Sequence, residues 1–331
     1  MRLLLFIMIN IIFSPLLILG LIAYTYRLRR HSIPHKISGT ANEPYAARLF
    51  MHLAGTREDA VAYALSGHLP VYSKLVHYSL VKVSHLALTA SGFKGSFLSY
   101  PGPRPSNLAT FLSHRTAFFD GVVTNAFERE DNRIKQFVVL GAGFDTRCYD
   151  FRESADVKCF EVDMAPTLKA KVEALTLAGV AHDHVNFVET DFNQKTWFDA
   201  LIERGFSPNL TTFILWEGVT MYLNEDAVLE TLKLVSRLPM GSEIAFDYFS
   251  GELINHEPPY DKLGPRMTKS AMRFYEEELQ YGISTRKPAR ENLENVVRDC
   301  GLRVSRFEHT QSEDPPVIPL YCFASAKTYH N

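Results

Sequence analysis

The stretch VVLGAGFDTR (138–147), read together with KCFEVD (158–163), decides the fold. Residues 136–140 (QFVVL) form a short apolar run that stops at Gly141, the pattern of a strand buried on both faces of a parallel sheet. Gly141 and Gly143 then permit a tight turn and a close backbone approach to a ligand. The next apolar run ends in acids, Glu161 and Asp163. From Gly143 to Asp163 is 163 − 143 = 20 positions, the spacing at which a carboxylate meets ribose hydroxyls. The third glycine of a dinucleotide fingerprint would fall at position 146, where this chain has Thr146. That departure favours a nucleoside ligand over a nicotinamide dinucleotide.

Outward from this turn, further apolar runs lie at 157–162, 185–188, 211–215 and 243–249, alternating with helical patterns at 166–178, 196–204 and 225–237. Strand–helix alternation predicts a doubly wound parallel sheet. A helix near 289–300 and two runs at 303–309 and 320–326, joined by a Pro-rich turn, predict an antiparallel edge and seven strands in all. Upstream, residues 45–90 carry helical periodicity broken near Gly67 to Pro70, and a Gly/Pro-rich stretch follows at 92–105. A helix is expected over 106–128, with Ser106 as N-cap.

Residues 3–26 contain no charge and are dominated by Leu, Ile and Phe, long enough to cross about 30 Å of hydrocarbon as one helix. Arg27, Arg29 and Arg30 follow, so the charge bias orients the rest of the chain to the cytosol. Pro15 is a potential kink. The organisation expected is a single-pass anchor at 1–30, a linker and helical cap at 31–130 and a nucleoside-binding domain at 131–331. A net charge of −2 without basic clusters argues against nucleic acid. Four cysteines without CxxC spacing predict reduced core thiols and no metal site.

The series VVLGAGFDTR (138–147), FEVDMAP (160–166), VETDF (188–192) and LWEGVTMYL (215–223) resembles the leucine carboxyl methyltransferase family, in particular its branch of S-adenosylmethionine-dependent O-methyltransferases. HRTAFFDG (114–121) is similar to the arginine-bearing helix before the family's domain, and TANEPYAAR (40–48) more loosely to its N-terminal cofactor lid. The resemblance implies a Rossmann-like class I methyltransferase with S-adenosyl-L-methionine as cofactor. It also implies roles: Gly141 and Gly143 along the methionine portion, Arg115 on its carboxylate, and Asp163 on the ribose with Glu161 as second candidate. Asp191 and Phe192 would hold the adenine, Glu217 the methionine amino group or sulfonium region, and Tyr222 would point toward the acceptor.

Each site has a plainer structural reading. Arg147 and Arg115 could pair with Asp145 or Asp120 at the surface, Tyr222 could be a core aromatic, and Asp247, which could face the cleft from the fifth strand, could equally be a solvated loop acid. Glu217 and Tyr222 are the expected catalytic pair. The expected reaction moves a methyl group to a carboxylate or hydroxyl oxygen of a small or lipophilic acceptor, in preference to a protein C-terminus. A nicotinamide-dependent oxidoreductase and a non-catalytic membrane-tethered binding protein are the rival classes.

Overall fold

The period-two alternation of a strand sorts its side chains onto two faces, and here each face has its own core. The computed structural model describes residues 1–94, 110–129, 133–152, 156–190, 197–310 and 318–329. In β1 (Gln136–Leu140), Phe137 and Val139 join one core while Val138 and Leu140 join the other. The remaining strands are β2 (Lys158–Asp163), β3 (Val185–Glu189), β4 (Thr212–Trp216), β5 (Glu243–Ser250), β6 (Gly282–Ile283), β7 (Leu302–His309) and β8 (Tyr321–Thr328). Their order is β3-β2-β1-β4-β5-β8-β7. The first five are mutually parallel; β8 runs antiparallel to β5, and β7 to β8. All seven expected strands form. The two-residue β6, beside Phe249 and Ser250 of β5, is too short to leave a sequence pattern.

The helices are α1 (Arg2–Ile12), α2 (Ser14–Arg27), α3 (Asn42–Leu53), α4 (Ala60–Leu65) and α5 (Lys74–Val76), which runs through a π-turn into α6 (Lys82–Ser91). They continue with α7 (Phe111–Phe127), α8 (Ala165–Leu177), α9 (Trp197–Glu203), α10 (Glu225–Ser236), α11 (Gly251–Ile254), α12 (Leu263–Tyr275) and α13 (Ala289–Asp299). Helices α9, α10 and α13 cover one sheet face through Leu201, Leu232, Val235, Leu293 and Val297. The other face is covered by α8 and by helices from the expected cap, through Tyr45, Leu49, Phe118 and Phe119. Those cap residues therefore share the core of the sheet. Helix α7 begins at Phe111 with Thr110 before it; the expected cap Ser106 lies outside the described residues.

The N-terminus departs from expectation. Among the described residues no single helix is long and apolar enough to cross a membrane. The apolar stretch breaks at Phe13 into two helices bent by 69°, with Pro15 in the first turn of the second. A proline there has no N–H to continue the preceding ladder, so the helix restarts instead of extending. Both helices lie against the protein. Phe6 packs on Phe93 at 5.0 Å between ring centroids, and Tyr24 on Tyr72 at 5.6 Å. At Gly20 an added Cβ would come within 2.7 Å of Ser79 Oγ, so only glycine permits this approach. The four cysteines are buried and free of disulfides.

Candidate active site

The carboxyl end of β1 opens directly into the turn at 141–146. Gly141 and Gly143 adopt φ of +65° and +45°, the left-handed region that glycine enters without penalty. Space is a second reason for glycine. A Cβ at Gly141 would lie 2.4 Å from Val219 Cγ2, and one at Gly143 would lie 2.9 Å from Ala41 Cβ. Gly141→Ala is therefore expected to cost about 1–3 kcal/mol through strain and overpacking, measurable as a lowered denaturant midpoint at constant slope.

Asp163 closes this turn. Its Oδ2 accepts from the Gly143 N–H at 2.6 Å and its Oδ1 from the Met164 N–H at 2.7 Å. Burial pushes the Asp163 carboxyl up, and the two backbone donors pull it back toward the charged form. Each oxygen keeps acceptor capacity for a diol. The carboxylate lines a cavity of about 490 Å3 together with Gly141, Gly143, Glu217, Tyr222 and the 36–41 segment. That size suits a nucleoside-sized ligand. Of the titratable residues on its wall, Asp145, Asp163, Glu217 and Glu276 to Glu278 are acidic, against Lys36 and Arg48.

Behind the cavity runs an alternating chain of buried charges. Arg48 Nη1 stands 3.3 Å from Asp145, and Arg147 Nη1 donates to Asp145 at 2.5 Å and to Glu217 at 2.7 Å. Arg115 Nε lies 3.1 Å from the other Glu217 oxygen, and its Nη1 reaches Asp247 at 3.3 Å and the Tyr321 hydroxyl at 3.2 Å. Burial alone would raise Asp145, but Arg147 and Arg48 more than offset it and hold the carboxyl well below its usual range. Asp247 is pushed up to about 6 by burial, with Glu217 adding to the rise and Arg115 opposing it. This network fixes the β4 and β5 ends with little freedom to reorganise.

A second cavity of about 210 Å3 adjoins the first. Thr40, Pro44, Gly218, Tyr222 and Tyr275 line both. Its wall is mostly apolar, with Phe111, Leu112, Met221, Phe249, Met267 and Leu279, while Glu43 supplies its carboxylate. Glu43 accepts a hydrogen bond from the Tyr275 hydroxyl.

Gly141, Gly143, Asp163, Glu217 and Tyr222 meet at the larger cavity. Arg115 instead lines the smaller one, and its guanidinium is engaged by Glu217, Asp247 and Tyr321. The arginine on the larger cavity is Arg48, missed as a site residue although it stands in the TANEPYAAR stretch. Its Nε has no hydrogen-bond partner among the described residues, which fits a carboxylate ligand. Glu161 is not on the cavity: it is wholly buried against Lys171 at 2.6 Å, and burial, opposed by Lys171, pushes it up to about 6. Arg147 does pair with Asp145 and Asp120, but at 2% side-chain exposure the pairing is interior. Asp247 is likewise buried, accepting from the Gly218 N–H at 2.7 Å and from Tyr321 at 2.7 Å. Asp191 and Phe192 lie outside the described residues.

Comparison with known proteins agrees with the motifs. The leucine carboxyl methyltransferase family matches residues 82–236. Curated relatives include the "Putative S-adenosyl-L-methionine-dependent methyltransferase YktD" of Bacillus subtilis, 28% identical over 188 residues, covering 54% of this chain and 57% of that protein. A protein of the same description from Mycobacteroides abscessus is 30% identical over 217 residues, covering 64% and 60%. The chain thus spans under two thirds of the length of either relative. Among solved structures, magnesium protoporphyrin IX methyltransferase from Synechocystis PCC 6803 with bound S-adenosylhomocysteine aligns at a TM-score of 0.42 and 12% identity, covering 69% of this chain and 90% of that one.

Proposed function

We propose, for a chain whose residues 82–236 match the leucine carboxyl methyltransferase family, that it is an S-adenosylmethionine-dependent methyltransferase acting on an oxygen of a lipophilic acceptor. The observation that carries this reading is the pair of adjoining cavities sharing the wall of Thr40, Gly218, Tyr222 and Tyr275. One has the charge and size for a nucleoside donor, and the other is an apolar chamber for the group that receives.

When bound, the cofactor supplies a methyl group on a cationic sulfur that is already a good leaving group. The protein's task is alignment, because holding reactants about 3–3.5 Å apart and in line replaces an unfavourable encounter. Asp163 would take the ribose diol, Arg48 the methionine carboxylate, and the two glycines would let the backbone approach the chain between them. The predominance of carboxylates on this wall favours a cation and disfavours the pyrophosphate of a nicotinamide dinucleotide. The turn after β1 also leads into a short 3-10 helix, Arg147–Phe151, instead of the α-helix N-terminus that a pyrophosphate uses.

Tyr222 stands where donor and acceptor meet. Burial, with Glu277 and Glu43 nearby, pushes its phenol far above the usual value, so it acts as a neutral hydrogen-bond donor and not as a base. Tyr222→Phe is expected to lower kcat roughly tenfold while leaving S-adenosylhomocysteine affinity within about twofold. An equal loss in both would make it a cofactor residue. A carboxylate acceptor loses no proton; a hydroxyl acceptor must, and Glu43 is placed in the smaller cavity to take it.

A bilayer is the natural reservoir for such an acceptor, and the apolar N-terminal helices would keep the enzyme beside it. The first test is calorimetric titration of full-length protein in detergent with S-adenosylmethionine and S-adenosylhomocysteine, NADH serving as control. Binding of NADH alone would overturn the reading. With radiolabelled donor, label is expected in lipid extracts; label confined to soluble peptides would sink the lipophilic acceptor.

A further inference from the structure

Helix α12 has two opposed faces. Met267, Ala271 and Tyr275, spaced four apart, line the smaller cavity. Arg266, Lys269 and Arg273, at three- and four-residue spacing, form an exposed basic stripe on the other side. No acid interrupts the helix from Leu263 to Tyr275, and none precedes Glu43 at the start of the chain. The same helix exposes Met272 at 48% and Phe274 at 38%.

This stripe is not alone. The Arg29 guanidinium lies over the Phe274 ring at 5.9 Å, so the basic turn after α2 meets the end of α12. Arg29, Arg30 and Lys36 are all exposed. Along α2, Ile18, Ile22 and Tyr26 face outward and share one shallow depression with Arg29 and Arg30. The opposite stripe, Gly20 and Tyr24 of α2 and Leu28 of the turn after it, faces the protein. An apolar ridge therefore runs into a belt of cations drawn from two distant parts of the chain.

We infer that this surface docks on an anionic lipid bilayer, with α1 and α2 lying in the plane of the interface. An exposed apolar face flanked by Lys and Arg is the physical signature of in-plane association. The charge of the belt complements acidic headgroups. A spanning orientation would need α2 to leave Ser79 and Tyr72, exposing a face that is now packed. Because α12 also walls the smaller cavity, docking brings that cavity to the lipid surface. The inference stands whether or not the chain transfers methyl groups.

The test uses the full chain and flotation with phosphatidylcholine vesicles, with or without phosphatidylserine. Partitioning is expected to rise with phosphatidylserine and to fall with salt. The triple variant R266Q/K269Q/R273Q should lose it on the order of a hundredfold, from about fivefold per cation, while remaining folded by circular dichroism. Equal partitioning into both vesicles, or an unaffected variant, would overturn the docking surface. For orientation, Leu3→Cys carries a nitrobenzoxadiazole label, since the four native thiols are buried. Dithionite added outside the vesicles should bleach essentially all of it. A protected fraction would mean that the N-terminus has crossed the bilayer, and the in-plane arrangement would be wrong.

Discussion

Asp163→Ala is expected to lower affinity for S-adenosylmethionine and S-adenosylhomocysteine by about two to four orders of magnitude. Two charge-assisted hydrogen bonds to a diol, at roughly 1.5–3 kcal/mol each, account for a loss of that size. The loss has a second origin within the protein. The carboxylate also holds the Gly143 and Met164 N–H groups, so alanine leaves the turn at 141–146 without its brace. Asp163→Asn separates the two: its one carbonyl oxygen can keep a backbone donor, while the charge that strengthens diol binding is gone. Calorimetry should therefore rank wild type, Asn and Ala in falling affinity. The ligand-induced rise in melting temperature, which follows from mass action, should shrink in the same order. Equal affinity for all three would remove Asp163 from the site.

Lys171→Met should give the largest loss of stability. Lys171 and Glu161 are both fully buried at 2.6 Å, joining α8 to β2. Removing one partner strands a buried charge at a cost of about 3–5 kcal/mol. Replacing both by apolar residues (Lys171→Met with Glu161→Leu) should recover most of it, because the desolvation penalty disappears with the pair. The pH dependence carries a sign. Glu161 already titrates at about 6 in the folded protein, raised from 4.5. The folded state thus binds more protons than the unfolded one between those values, and this group's contribution falls as pH rises through that window. Without Lys171 the folded-state value moves higher still. The single variant's deficit should then be smaller at pH 5 than at pH 7.5 in denaturant titrations. A deficit independent of pH would mean that the buried pair is not charged as drawn.

Five residues that line the larger cavity were legible in sequence for a chemical reason. Gly141, Gly143, Asp163, Glu217 and Tyr222 sit at or just beyond strand ends, where the parallel sheet delivers its ligands. Arg48 and Glu43 were not singled out: both stand in TANEPYAAR (40–48), whose likeness to a cofactor lid is loose, and each is otherwise an ordinary residue of an amphipathic helix. Arg115 was expected on the larger cavity and lines the smaller one, because the register of α7 against β5 and β8 decides which carboxylates it meets. Glu161 lies off the cavity for a related reason. An acid two positions before Asp163 looks equivalent in sequence, yet the strand runs past the cavity wall and leaves it facing Lys171.

The sequence by itself determined the order of strands and helices, the antiparallel edge, and the glycine–acid pair of the turn after β1. Each is written in local periodicity or in conformations only glycine adopts readily. Tertiary structure alone decided how the two N-terminal helices pack on the protein, the alternating charge network, and the second cavity with α12 as its wall. Those depend on which side chains from distant segments share a buried volume, where low dielectric makes pairing obligatory and close packing leaves room in only a few places.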